Sequence, residues 1–426
     1  MDAALGEANA TLGEALLAHR TVPPQQETSE GMGAVLSNAG VDCLAGQSRG
    51  MSSIRRMERG DLDAVAGLYE RVVRSGSTNP APGLRRWFER TLFDHPWVDP
   101  ELPSLVALDR DGRVVGMICS HARRLRIDGE SARLAVSGQL VVAPEARRRA
   151  AGALLLRSYL SGPQDLTITD GATAVVRGMW ERLGGDAGPL QSVEWWRPLR
   201  PWRSATAAWR LRRRRRAPTA VRAAADALDR LTPPFVRSEG PPRHSVEALT
   251  SGLLIAELPA ITRRLRLAPD YDVGFAEWLL AELAAVNARG ELRARLVRDG
   301  DGRTLGYFVY YLLPGEISPV IAIAAQDEDT TTAVLDALLH DALVGGASVL
   351  HGRVEPRLLA PVAGRGALLR YGGAALLHAS NPLVLRLADS RHALLTRLEG
   401  EWWMGPHLDG EVGEPQVDLQ RRGPCP

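Results

Sequence analysis

The chain contains no lysine; all 52 of its basic residues are arginine. That absence excludes Schiff-base catalysis and the lysine of nucleotide-binding phosphate loops. With abundant alanine and glycine it also marks a GC-rich coding bias, which discounts the arginine clusters as evidence of anionic partners. Cysteine is scarce, with Cys43, Cys119 and Cys425 scattered over 426 residues. Such spacing makes neither a disulfide framework nor a zinc site, so no metal is expected and a reducing cytoplasm is the natural setting. No apolar run reaches the length of a membrane span. The first residues, acidic at Asp2 and Glu7, lack the basic flank of a secretory signal. The formal net charge of +2 implies no general attraction to nucleic acid or membrane.

What is present is an ordinary globular composition, 45% hydrophobic and 24% charged, in a chain long enough for two or three domains. Residues 1–50 have weak periodicity and a loop-like run from Val22 to Glu30, and are expected to be a disordered extension. From Ile54 the pattern is regular. A short strand precedes Asp61, an N-cap, and Leu62, Val65, Leu68, Tyr69 and Val72 follow at helical spacing. A second helix covers Leu84 to Phe93. Strands two to four then run over Ser104 to Leu108, Val114 to Cys119 with its continuation Arg123 to Ile127, and Ala132 to Val142, with turn chemistry at Asp109 to Gly112 and at Asp128-Gly129. A fifth strand at Asp165 to Thr169 and a helix at Val175 to Leu183, closed by Gly184-Gly185, complete the order β-α-α-β-β-β-α-β-α.

The most informative stretch follows the fourth strand. Leu140 to Val142 is apolar, Pro144 breaks it, arginines and small residues occupy Arg147 to Gly152, and a helix opens at Ala153. Strand, short loop, helix is how a chain offers free backbone N–H groups to a phosphate. Loop and element order together resemble the GNAT (GCN5-related N-acetyltransferase) superfamily, whose pyrophosphate loop reads Arg/Gln-x-x-Gly-x-Gly/Ala. Here those positions are Arg147, Arg148, Arg149, Ala150, Ala151 and Gly152, with alanine at 150 in place of the usual glycine. The resemblance spans a first domain at 51–200. It implies acetyl-CoA or another acyl-CoA as co-substrate, its pyrophosphate on Arg147 to Ala153 and its pantetheine arm along Leu140, Val141 and Val142.

Residues 201–245 shift to arginine, tryptophan and proline and read as a helical linker. Residues 246–404 then repeat the earlier pattern, with Asp299 to Gly302 echoing Asp109 to Gly112. They are expected to form a degenerate second GNAT-like domain, because the loop Ala325 to Thr330 is acidic and would repel a pyrophosphate. Residues 405–426 are expected to be a disordered tail. The fold class is thus α/β (α+β): tandem GNAT-like domains, each a mixed, mostly antiparallel sheet flanked by helices. The runs Trp180 to Gly185, Trp196 to Pro201 and Arg397 to Trp403 resemble a group of uncharacterised bacterial two-domain GNAT proteins.

For chemistry, His121 and Asp170 are the titratable residues that topology brings nearest the reacting end of the sheet. Ser137 and Gln139 share a strand face and are assigned to substrate positioning. Trp180 joins them, standing where many GNAT enzymes carry a proton-donating tyrosine. The expected activity is acyl transfer by direct attack of a primary amine of a small molecule, an amino sugar among the options, held between the two domains. Oligomeric state is open, and a monomer is compatible with the sequence. Two other readings stand beside it. One is a Fem-like, tRNA-dependent aminoacyl transferase docking through Arg212 to Arg216, disfavoured because the CoA loop persists; the plainer reading of that run is a solvated helix face. The other is a catalytically inactive CoA-binding regulator or scaffold.

Overall fold

A computed structural model describes residues 51–405, except 75, 78, 148, 149, 189, 214–216, 236–243 and 373. The extension 1–50, nearly all of the tail, Arg148, Arg149 and most of the 212–216 arginine run therefore lie outside the described side chains.

The first half opens with β1 (Met51–Arg56), α1 (Leu62–Val73) and α2 (Leu84–Leu92). Asp61 precedes α1 but makes no cap, because its carboxylate is taken by Arg55 at 2.7 Å and by the Glu58 N–H at 2.8 Å. Strands β2 (Leu105–Asp109) and β3 (Val114–Ile118) form a hairpin. Its turn is fixed by Asp109 Oδ1, which accepts from the N–H groups of Asp111 and Arg113 at 2.9 Å, and by Gly112 at φ 74°. Only Cys119 separates β3 from β4 (Ser120–Ile127), and β5 (Glu130–Ser137) and β6 (Val141–Val142) are likewise two parts of one run. Then come α3 (Ala151–Leu160), β7 (Leu166–Ala172), α4 (Ala174–Arg182), β8 (Asp186–Ala187) and β9 (Val193–Pro198).

The linker is a helical hairpin, α5 (Pro201–Arg213) and α6 (Thr219–Leu231), as its composition suggests. Asp229 of α6 caps α5, accepting from Trp202 N at 3.0 Å and Arg203 N at 2.9 Å. The second half runs β10 (Ser245–Ala248), α7 (Ser251–Thr262), β11 (Leu267–Pro269), α8 (Val273–Ala284), β12 (Glu291–Arg298), β13 (Thr304–Leu312) and β14 (Ile317–Ala325). It continues through α9 (Glu328–Val344), β15 (Val349–Arg353), α10 (Leu359–Gly364), β16 (Leu368–Tyr371), β17 (Ala374–His378) and α11 (Pro382–Ala388). The β12–β13 turn repeats the earlier device, with Asp299 Oδ1 accepting from Asp301 and Arg303 N–H groups at 2.9 Å.

The sheets are mixed and mostly antiparallel, as expected. Their orders are β1-β2-β3-β6, β11-β4-β5-β7-β17-β8 and β10-β12-β13-β14-β15-β9-β16. The parallel pairs β5–β7 and β14–β15 occupy corresponding places. Beside each sits a strand from the other half. β17 pairs with β7, whereas β9, assigned by sequence to the end of the first domain, pairs with β15 and β16. Neither half therefore completes its own sheet.

Burial follows that exchange. One apolar cluster joins Leu125, Leu134 and Ile168 to Leu267, Leu377 and Leu395, so its members come from both ends of the chain. Residues 51–245 expressed alone would leave β7 with an open edge, and 246–405 alone would leave β15 without its neighbour. We expect each fragment to be insoluble by itself and the two to co-purify when co-expressed; independently soluble, folded fragments would contradict the exchange.

Candidate functional site

The site begins where β5 and β7 part. Their parallel pairing covers Leu134–Val136 against Leu166–Ile168, and β6 then pairs only with β3, through Gly116↔Val142 and Met117↔Val141. A wedge opens between β6 and β7. Leu140 and Val142 are half-buried along it, Val141 is 5% exposed, and Val176 and Met179 of α4 face them.

The N-terminus of α3 closes one end of the wedge. Pro144–Arg147 forms a single helical turn, and Arg147 Nε donates to the Val142 carbonyl at 3.3 Å. Ala150 is the N-cap, with no side-chain acceptor to offer, and the first helical bond is Leu154 N to Ala150 O at 3.0 Å. Among the described residues the N–H groups of Ala151, Gly152 and Ala153 have no acceptor, and they stand at the positive end of the helix dipole. Ala150 stands at φ 57°, in the left-handed region. That backbone explains the glycine usual at this position. A Cβ on Gly152 would meet Val142 Cγ2 at 3.5 Å and Met179 Cε at 3.9 Å, so a small group fits and a long one would fill the wedge. Arg148 and Arg149 lie outside the described residues.

The corresponding wedge of the second half differs. Pairing of β14 with β15 ends at Pro319↔His351. The helix beyond, α9, is capped by Asp327, whose carboxylate accepts from Thr330 N at 3.0 Å, and its first turn carries Glu328 and Asp329. Arg357 reaches in from the far side and donates to the Ala325 carbonyl at 3.0 Å. Acids at the helix start and a guanidinium on the strand end occupy what the first half leaves open.

Ser137 is buried directly opposite Ser120 across β4 and β5. Gln139, in the break between β5 and β6, is half-buried, with its Oε1 shielded and without a hydrogen-bond partner among the described residues. Trp180 is corrected: it is fully buried and its indole donates to the Leu377 carbonyl at 2.8 Å, so it fastens β17 and cannot touch a substrate. His121 reaches the right place, its Nε2 3.0 Å from where a Gly138 Cβ would stand, but it is 1% exposed. Burial, with a contribution from Arg123, lowers its pKa to about 3, which removes it as a proton acceptor at neutral pH. Asp170 is also corrected as a free base. Its Oδ1 accepts from Glu401 N at 3.0 Å and Trp402 N at 2.8 Å, and its Oδ2 lies 3.6 Å from Arg353 Nη1.

Those contacts reveal the residue that sequence reasoning missed. Glu401 lies at the end of β7, accepting from Asp170 N at 3.0 and 3.1 Å and from the Thr169 hydroxyl. Burial and then the Asp170 charge push its carboxyl well above the usual range. It is 231 residues from Asp170, and only the Arg397–Trp403 run hinted that this segment mattered. Behind it lies the buried guanidinium of Arg123. It contacts His95 Nε2 at 2.8 Å, stacks over Phe275 and Trp278 at 5.1 and 5.7 Å, and donates to Met404 Sδ at 3.1 Å.

No family model matches the sequence, and no curated protein matches it. Solved structures do. A conserved Enterococcus faecalis protein of unknown function, described as a probable N-acyltransferase, aligns with a TM-score of 0.51 at 10% identity, over 79% of this chain and 74% of its own. GCN5-related N-acetyltransferases from Kribbella flavida and Anabaena variabilis align with TM-scores of 0.48 and 0.49, at 20% and 11% identity. They cover 77% and 79% of this chain and 71% and 75% of their own. The likeness is one of fold. It spans both halves, since three quarters of the chain cannot be supplied by residues 51–200 alone.

Two outcomes follow from the local physics. Left-handed backbone costs an L-residue roughly 1–2 kcal/mol, partly offset in glycine by its greater freedom when unfolded. Ala150→Gly should therefore stabilise the protein by about 0.5–1 kcal/mol in denaturant titration; a loss would mean the positive φ is wrong. His121, at about 3 when folded, takes up its proton only on unfolding as pH falls below about 6.5. Its contribution is thus fully present above 6.5 and declines as pH drops towards 3. Glu355, raised to about 7, works in the opposite sense, so the comparison is with a variant. Between pH 7 and 5, His121→Gln should recover about 2 kcal/mol relative to wild type.

Proposed function

We propose that the chain is an N-acyltransferase that draws an acyl group, most simply acetyl, from acyl-CoA bound in the first half and passes it to a primary amine of a small molecule. One observation carries this reading: three N–H groups at the start of α3, without an acceptor among the described residues, stand beside a wedge between β6 and β7 that no described strand fills. The fold shared with the Enterococcus faecalis probable N-acyltransferase supports it. We read the two halves as a tandem pair of which only the first binds CoA, and the seam between them as the acceptor's place.

Bound acyl-CoA supplies a thioester, whose carbonyl carbon the amine attacks as the thiolate leaves. Each other part falls to the chain. The N–H groups of Ala151, Gly152 and Ala153 hold the pyrophosphate, with Arg147 at the rim. The ladder-free edge of Leu140 to Val142 receives the pantetheine arm. Gln139, half-buried at the strand break, helps to position the amine. Glu401 takes the proton that the attacking nitrogen loses: it is half-buried at the end of β7, and its raised pKa makes it a stronger base than an ordinary carboxylate. Water protonates the departing thiolate, since Trp180 is committed to Leu377.

Calorimetric titration of acetyl-CoA tests the cofactor site. Micromolar binding to wild type that disappears in Gly152→Glu, with folding intact, is the expected result; equal binding to both would move the cofactor elsewhere and sink the assignment. For Glu401, turnover should rise with pH through the pKa of that carboxyl. Glu401→Gln should lower kcat by roughly 100-fold and flatten that limb while leaving acetyl-CoA affinity unchanged. An unchanged profile would remove Glu401 from the chemistry.

A further inference from the structure

The wedge of the second half is closed at its outer end, but its inner end encloses a cavity. Trp195 of β9, Arg353 of β15, Glu355 and Arg397 line it, together with Val320 to Ile323 of β14. It leaves about 10 Å³ for the centre of a water-sized atom, room for one occupant.

The polar groups on its wall are mostly donors. Trp195 Nε1, Arg353 Nε, Arg353 Nη1 and Arg397 Nη1 are all buried and have no hydrogen-bond partner among the described residues. Their side chains are 1%, 5% and 4% exposed, so solvent does not satisfy them. Nor can they swing to other acceptors. Arg353 Nη2 is held by the Leu395 carbonyl at 2.8 Å, and Arg397 is fixed between the Trp402 ring at 4.4 Å and Glu194 at 3.5 Å. Against four N–H groups the wall sets one unpartnered acceptor, Glu355 Oε2. Burial pushes that carboxyl up to about 7, so it too is readily protonated.

Among the described residues Trp195 Nε1, Arg353 Nε and Arg397 Nη1 have no partner and Arg353 Nη1 has only the Asp170 carboxylate at 3.6 Å, beyond hydrogen-bond reach; such buried donors cost several kcal/mol unless something accepts from them. A single water accepts two hydrogen bonds and must place two of its own on a wall with one acceptor. A monatomic anion has no hydrogens to place and accepts from every donor that reaches it. We propose that this cavity is a halide site, chloride under ordinary conditions, coordinated by the Trp195 indole and the Arg353 and Arg397 guanidiniums. Its place in the fold gives it a role. Arg353 Nη1 lies 3.6 Å from Asp170 Oδ2, and Asp170 anchors the backbone of Glu401 and Trp402. The anion fixes Arg353 and, through it, the segment that carries Glu401. The site is independent of acyl-CoA binding.

Bromide replaces chloride and is visible by anomalous scattering. Crystals soaked in sodium bromide should show an anomalous peak within hydrogen-bond distance of Trp195 Nε1, Arg353 and Arg397. In solution, chloride and bromide should each raise the Tm saturably over gluconate at equal ionic strength. Trp195→Phe, which removes one donor and no charge, should weaken that halide dependence roughly tenfold. Water in the cavity, with bromide only at the surface, would overturn the proposal, as would a Tm that responds to ionic strength alone. If Trp195→Phe fails to fold, the diffraction result on the wild type still decides.

Discussion

The exchange of β9 and β17 is the constraint from which the rest of the arrangement follows. A strand edge left open beside a parallel pair presents a row of unpaired N–H and C=O groups. In this chain each half closes that edge with the other's strand. The crossing carries the chain back to the first half after residue 378, and so brings Thr396 to Met404 against β4 and β7. Glu401 reaches the end of β7 by that route. A first half ending at Pro198 would lack Glu401 and its bonds to Thr169 and Asp170.

The seam produced by this crossing is unusually charged for a protein interior. Arg123, Arg353, Arg397, Glu194, Glu355, Glu399 and Asp170 are all withdrawn from bulk water. Glu194, with its carboxyl held down to about 2 beside His351 and Arg397, is one stable member; Glu399 is held by Thr396 N at 2.7 Å and by the Tyr271 hydroxyl. Buried ion pairs add little net stability, since desolvation cancels most of their attraction. Their geometric demands are the greater consequence. Each partner must stand at one place, and a seam built this way holds the two halves in one relative position. Rigid placement of that kind suits the proposed site, in which the proton acceptor would come from one half and the cofactor loop from the other.

The local code was legible and the long-range code was not. Asp-x-x-Gly turns, the helical spacing of Leu62, Val65 and Leu68, and the loop from Arg147 to Gly152 are written in neighbouring residues. The turns and the helix appear in the structure close to their expected places, and a helix starts at Ala151 as the end of the loop is reached. The errors share one cause. Trp180 read as a substrate contact because nothing nearby in sequence reveals that the carbonyl of Leu377, 197 residues on, accepts its N–H. Asp170 read as a free base because its partners are 231 and 232 residues away. His121 lay at the right depth in the sheet, but its protonation depends on how completely other segments cover it. Contacts across the strand exchange leave no periodicity to read.

The difference between the two wedges shows what turns a shared fold into a binding site. Both halves part their parallel strands, and both start a helix at the opening. Fold alone therefore provides the geometry twice. In the first half the helix begins at an alanine with a side chain too short to cap it, and the aligned N–H groups have no acceptor among the described residues. In the second half Asp327 caps the helix, two further acids follow it, and Arg357 occupies the strand's carbonyl. An anion is attracted to the first opening by unpaired dipoles and repelled from the second by fixed carboxylates. The arginine-rich loop is secondary to that distinction. In a chain whose every cation is arginine, charge near the loop carries little information, whereas the left-handed backbone at Ala150 is a matter of geometry.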